Sequence, residues 1–168
     1  HEPIKKVPSL ITKKRIIDGL SLINRTLKED FRIDNPKIAV LGLNPHAGED
    51  GNIGREEIEF IIPAIKSFGK KINAEGPFVP DAFWATKKYL RYDFVLGMYH
   101  DQVLIPFKML NFDKGVNYTA GLKMIRTSPD HGTAFDIAGT GVASEVSLQE
   151  AYRYAIKIHS NRIRLIEN

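Results

Sequence analysis

In the stretch Lys37-Ile38-Ala39-Val40-Leu41-Gly42-Leu43 every residue after Lys37 is apolar, with no alternation between the two faces of a strand. A strand of that kind is covered on both sides, because a sheet with one wet face carries polar residues at every second position. Cover on both sides means helices on both sides, so the run predicts a buried parallel strand in a layered α/β body. The glycine-rich segment Asn44-Pro45-His46-Ala47-Gly48-Glu49-Asp50-Gly51-Asn52-Ile53-Gly54 follows as a loop at the strand's carboxyl end. Ligands of open α/β sheets gather outside that edge.

The flanking segments agree with such a body. Ile16, Leu20, Ile23 and Leu27 recur at helical spacing behind Thr12, which predicts a capped helix through about residue 30, ended by Asn35-Pro36. Residues 55–68 predict an amphipathic helix with Ile58, Ile61, Ile62, Ile65 and Phe68 on its buried side, kinked or divided at Pro63. Gly76-Pro77 predicts a turn and residues 81–90 a short helix. The run 92–99 predicts a second buried strand ending at His100-Asp101-Gln102. Residues 102–112 stay ambiguous because of Pro106, while 115–120 and 123–127 predict two short strands around Gly121. Ser147 with Glu150 forms a capping-box pattern that opens a last helix, with Leu148, Ala151, Tyr152, Ala155, Ile158 and Arg162 along one face.

Composition then removes whole classes of chemistry. The 168 residues contain no cysteine, which excludes disulfides, thiolate metal sites and a cysteine nucleophile, so any metal is held by His, Asp, Glu or water. No stretch approaches the roughly 20 apolar residues that span a bilayer, and no secretory layout opens the chain, so a cytoplasmic protein without a membrane partner is expected. The net charge is +4, but its basic residues are dispersed, and the longest clusters, Lys13-Lys14-Arg15 and Lys70-Lys71, read as solvated helix ends. No nucleic-acid partner is expected. Phosphate loops of the Gly-x-x-x-x-Gly-Lys type, His-Glu-x-x-His helices, Gly-x-Ser-x-Gly elbows and dinucleotide Gly-x-Gly-x-x-Gly turns are all missing.

Two loops at the predicted edge carry imidazoles. His46 stands among three glycines and two acids, either as a metal ligand or within an acidic turn before a helix. His100 stands beside Asp101 and Gln102, which are able to orient it, or in a plain surface turn. Lys108, Asn117 and Arg126 offer an ammonium, an amide and a guanidinium fork suited to phosphate and carboxylate. His131, in Asp130-His131-Gly132-Thr133, is a candidate cofactor contact or a helix cap, and His159 a surface or packing residue.

At Leu43-Asn44-Pro45-His46-Ala47-Gly48-Glu49, Tyr99-His100-Asp101-Gln102, Gly115-Val116-Asn117, Ile125-Arg126-Thr127-Ser128 and Asp130-His131-Gly132-Thr133-Ala134, the chain closely resembles the 4-hydroxythreonine-4-phosphate dehydrogenase family of pyridoxal phosphate (vitamin B6) biosynthesis. The resemblance implies a three-layer α/β/α fold like that of isocitrate and isopropylmalate dehydrogenases, which bind nicotinamide cofactors without the missing fingerprint. It implies that the 168 residues form a single α/β region, the C-terminal half of a two-domain chain whose N-terminal half is absent; the chain opens on His1, not Met. It places metal-ligating histidines at His1, His46 and His100, carboxylates near the metal at Asp81 and Asp101, and substrate contacts at Lys108, Asn117 and Arg126. It further implies a divalent cation (zinc, magnesium or cobalt), NAD or NADP, and a homodimer whose subunits share each active site. The implied reaction oxidises a secondary alcohol of a small phosphorylated substrate and then loses carbon dioxide, with Lys108 or a nearby carboxylate moving the proton. A dehydrogenase of a four-carbon sugar-acid phosphate (threonate or erythronate 4-phosphate), or an inactive metal- or phosphate-binding fragment, are the competing readings.

Overall fold

The computed structural model describes residues 1–130, 132 and 135–166. A short turn of helix, α1 (Val7–Leu10), leads to Thr12, whose Oγ1 accepts a hydrogen bond from the Arg15 amide at 3.2 Å and caps α2 (Lys13–Glu29), as its sequence predicts. Strand β1 (Lys37–Leu41) follows and is buried from Ile38 onward. It is the centre of a three-stranded parallel sheet of order β2-β1-β3, flanked by β2 (Asn73–Phe78) and β3 (Phe94–Leu96).

Because side chains alternate along a strand, β1 serves both layers at once. Ile38 and Val40 join Ile16, Leu20, Leu27, Ile61 and Ala64 on one face, where α2 and α3 (Ile62–Lys66) pack. Ala39 and Leu41 meet Phe83 of α4 (Pro80–Ala85) on the other. This is the α/β layering that the unbroken apolar run requires.

Four expectations are corrected. Gly76-Pro77 lies inside β2 and is not a turn, since the strand runs so close to β1 that a Cβ at Gly76 (φ 142°) would stand 2.3 Å from the Val40 carbonyl oxygen. The Gly-Pro signal therefore records close strand approach. The second strand is shorter than 92–99 and is an edge strand whose Phe94 is 38% exposed, because α-helix begins already at His100. The helix of residues 55–68 is divided beside Pro63 as expected, a π-helical turn over 57–61 passing into α3 at Ile62, and Ile61 is buried with Ile65 and Phe68 against the core, but Ile58 faces outward, 41% exposed, and Ala64 is buried in its place. The final helix buries Ala151 and Ile158 of the expected face but turns Leu148 and Tyr152 outward, as described next.

Helix α5 (His100–Asn111) accommodates Pro106 and leads to the antiparallel ribbon of β4 (Val116–Tyr118) and β5 (Thr127–Pro129). The last helix, α6 (Val146–Ile166), packs against that ribbon through Ser147, Ala151, Ile158 and Asn161, whereas Leu148 and Tyr152 are 58% and 68% exposed. Ser147 makes no capping box: its hydroxyl donates to the Gly115 carbonyl (2.6 Å) and accepts from the Asp130 amide (3.3 Å).

Candidate active site at the carboxyl edge of the sheet

Past the end of β1 the chain does something unusual for L residues. His46, Ala47, Gly48, Glu49 and Asp50 all take left-handed backbone conformations (φ 51°, 52°, 83°, 44° and 54°) before Gly51 at 96°. Each non-glycine residue there costs roughly 1 kcal/mol or more, so the surroundings must hold the turn in place. Glu57, 1% exposed, is the holder. Its Oε1 accepts the amides of Leu43 (2.7 Å) and Asn44 (2.8 Å), and its Oε2 accepts the Asn44 side-chain amide (2.9 Å). Asn44 also donates to Glu56 (2.8 Å), and this hydrogen bond, first among the causes, draws the Glu56 pKa below its ordinary value. Gly48 and Gly54 leave the room: a Cβ would lie 2.7 Å from Glu57 Oε2 at the first and 2.2 Å from Asn44 Nδ2 at the second. His46 is presented outward by this turn, and α4, with Asp81 exposed in its first turn, packs against it.

The second loop is tied to the first by Gln102. Its Nε2 donates to the Gly42 carbonyl at 2.6 Å and its Oε1 accepts from the Met98 amide at 2.7 Å, so one amide joins the ends of β1 and β3. That fixes the start of α5 and with it His100. Asp101 Oδ1 lies 2.6 Å from His100 Nδ1. With the proton on Nδ1 shared to this carboxylate, Nε2 presents its lone pair to a ligand. The His1 and His100 ring centroids are 5.0 Å apart, and both rings border a largely apolar cavity of about 490 Å³ also lined by Ile11, Leu22, Met98 and Tyr99.

The remaining candidates lie apart from these. Lys108 donates to the Asp130 carbonyl (3.1 Å) and pairs with its carboxylate (3.6 Å), joining α5 to the end of β5. Asn117 is exposed on β4, and Arg126 donates through Nη1 to Thr119 Oγ1 at 2.9 Å. His131 lies outside the described residues. Among the described residues, no three His, Asp or Glu side chains gather closely enough to hold a metal ion, so the pair His1 and His100 fits a metal's donors in part and His46 is not brought to them within one chain.

Sequence reasoning missed Glu57, Asn44 and Thr119, and a part-buried cluster of Asp30, Tyr118 and Arg162, while Gln102 was singled out beside His100 but not for its bond to Gly42. One signal was present for Glu57: it lies four and seven residues before the buried Ile61 and Ala64, a carboxylate on the inward stripe of a helical segment.

Helices on both faces of a parallel sheet, with His46 on the turn past β1 and His100 and Asp101 at the start of the helix past β3, define an α/β protein of the class whose ligands gather outside the carboxyl ends of the strands. Residues 1–155 match the family described as pyridoxal phosphate biosynthetic protein PdxA, and the chain belongs to that family. It is 52% identical over 163 residues to a 4-hydroxythreonine-4-phosphate dehydrogenase of Prosthecochloris aestuarii, covering 97% of this chain and 48% of that relative. The crystal structure of a 4-hydroxythreonine-4-phosphate dehydrogenase from Klebsiella pneumoniae superposes with a TM-score of 0.77 at 41% identity, over 96% of this chain and 48% of the other. A terephthalate 1,2-cis-dihydrodioldehydrogenase from Burkholderia xenovorans is also similar, with a TM-score of 0.73 at 28% identity, over 94% of this chain and 50% of the other. The chain thus spans about half the length of the relatives it matches.

Proposed function

We propose that these residues serve a metal- and nicotinamide-dependent dehydrogenase that oxidises 4-phosphooxy-L-threonine to 2-amino-3-oxo-4-phosphooxybutanoate, which then decarboxylates to 3-amino-2-oxopropyl phosphate. The observation that carries the reading is the pair of neighbouring imidazoles, His1 and His100, with Asp101 orienting His100, in a chain of the PdxA family.

His1 and His100 would hold the cation from one chain, and His46 from a second copy in a homodimer that shares each site. A divalent ion held there, whether zinc, magnesium or cobalt, would supply Lewis acidity toward the substrate's hydroxyl oxygen, with NAD or NADP as the hydride acceptor. Asp101 keeps His100 in the tautomer that offers Nε2. Asp81 adds a carboxylate on the helix beside the His46 turn. Asn117 and Arg126 bind phosphate or carboxylate oxygens, Arg126 through the N–H groups that Thr119 leaves available. The alcohol proton passes to Lys108 Nζ in its neutral form or to a nearby carboxylate, and Asp130 is the counter-charge of the ammonium that results at Lys108. Cofactor contact by His131 belongs to the same proposal.

The test is His100→Ala in the full-length enzyme, which is expected to abolish metal-dependent turnover and to lower bound metal measured by elemental analysis; near-normal activity would sink the assignment. A sugar-acid phosphate substrate is the second reading, since the similarity to a protein named for a different dehydrogenation goes with one fold serving more than one substrate. Turnover assays with 4-phosphooxy-threonine and with threonate or erythronate 4-phosphate separate the two.

A further inference from the structure

A two-stranded ribbon holds its shape poorly unless one face is docked, and Asn117 and Arg126 stand on such a ribbon. Its two faces do different things. Tyr118 and Thr127, opposite each other in the register, face inward: Thr127 Oγ1 donates to the Ala151 carbonyl of α6 at 2.9 Å, and the Tyr118 hydroxyl donates to Asp30 Oδ2 at 2.5 Å. Asn117, Thr119 and Arg126 belong to the opposite face, where Arg126 and Asn117 are exposed.

The inner face is gripped by one ion pair. Asp30, 3% exposed at the end of α2, takes Arg162 Nε on Oδ1 (2.5 Å) and Arg162 Nη2 on Oδ2 (3.1 Å). The same guanidinium donates from Nη2 to the Tyr118 hydroxyl (3.0 Å) and from Nη1 to the carbonyls of Leu122 (3.1 Å) and Lys123 (3.0 Å), on the turn between the strands. Asn161 adds a bond to the Asp30 carbonyl at 2.7 Å. One guanidinium fork therefore fixes the end of α2, strand β4 and the ribbon's turn against α6. Apolar side chains would hold a ribbon there about as firmly, since a buried ion pair recovers little net energy. What the planar fork adds is direction.

We propose that Asp30, Arg162 and Tyr118 are positioning residues for the substrate: from the ribbon's inner face they set where Asn117 and Arg126 stand on its outer face. This rests on the reading that Asn117 and Arg126 grip the phosphorylated substrate.

The test uses the full-length enzyme and compares Arg126→Ala, Asp30→Asn, Asp30→Glu and Tyr118→Phe. The substrate KM is expected to rise about tenfold or more in Asp30→Asn and a few-fold in Tyr118→Phe, with kcat and the nicotinamide KM changing less than about twofold, and with Asp30→Glu recovering part of the loss. If Arg126→Ala raises the substrate KM while Asp30→Asn and Tyr118→Phe leave it unchanged, even with a lowered melting temperature, the cluster is merely structural and the inference is overturned. If Arg126→Ala itself leaves the KM unchanged, the substrate reading fails first and takes the inference with it. Should Asp30→Asn not fold, Tyr118→Phe, which removes a single hydroxyl, decides.

Discussion

Asp30 is the residue at which opposing electrostatic effects are easiest to weigh. Burial acts to raise its pKa, but hydrogen bonds from Arg162 and Tyr118 and the guanidinium charge together outweigh it, and the net shift is below the ordinary 3.8. A carboxyl whose folded pKa lies below its unfolded one contributes stability that is complete above the unfolded value and is lost as the pH falls through the folded value. Asp30→Asn is therefore expected to cost about 3 kcal/mol near neutral pH, and to flatten the loss of stability on acidification below 3.8, read from urea titrations across that range. Tyr118 shifts the other way: burial first, then the bond to Asp30, pushes its hydroxyl up to about 12. Glu57 offers a second residue-scale prediction. Glu57→Gln turns one acceptor into a donor facing donors, and is expected to cost about 2 kcal/mol, with faster amide exchange at Leu43 and Asn44 as the local readout.

Among the elements, α2 was legible in the sequence because a side-chain cap and a single apolar stripe coincide there, and β1 because it is apolar throughout. Strand β2 was not, since Asn73, Glu75, Gly76 and Pro77 are loop-forming residues and pairing with β1 alone makes them a strand. On α6 the sequence points to Ala151 and Ile158 correctly and to Leu148 and Tyr152 wrongly, for a related reason. The helix's buried face includes Ser147 and Asn161, whose polar atoms have partners at Gly115 and Asp30, so hydrophobicity selected Leu148 and Tyr152 instead. Ile158→Ala is accordingly expected to cost about 3 kcal/mol and Tyr152→Ala under about 0.5 kcal/mol in chemical denaturation of the 168-residue chain. The candidate site divides along the same line. His46 and His100 were legible as strand-end histidines, while the Glu57 and Gln102 hydrogen bonds that aim them span 14 and 60 residues and leave no local pattern.

At the scale of the whole molecule the outer surface is as informative as the core. Met109, Phe112, Met124 and Phe135 are each more than 70% exposed, and α6 turns Leu148, Tyr152 and Ile156 to solvent. Apolar side chains left out in such number mark surfaces that associate. The 168 residues alone are expected to show concentration-dependent self-association in sedimentation velocity, and a monomer at every concentration would contradict this. The ion pair between Asp30 and Arg162 has a further consequence, in time. Its partners are 132 residues apart along the chain, and a contact needing so long a closure is expected to form late in folding. A bond made that late acts as a latch: weakening it is expected to hasten unfolding while leaving the folding rate almost untouched, read from the two limbs of a chevron, and a slowed folding limb would contradict this.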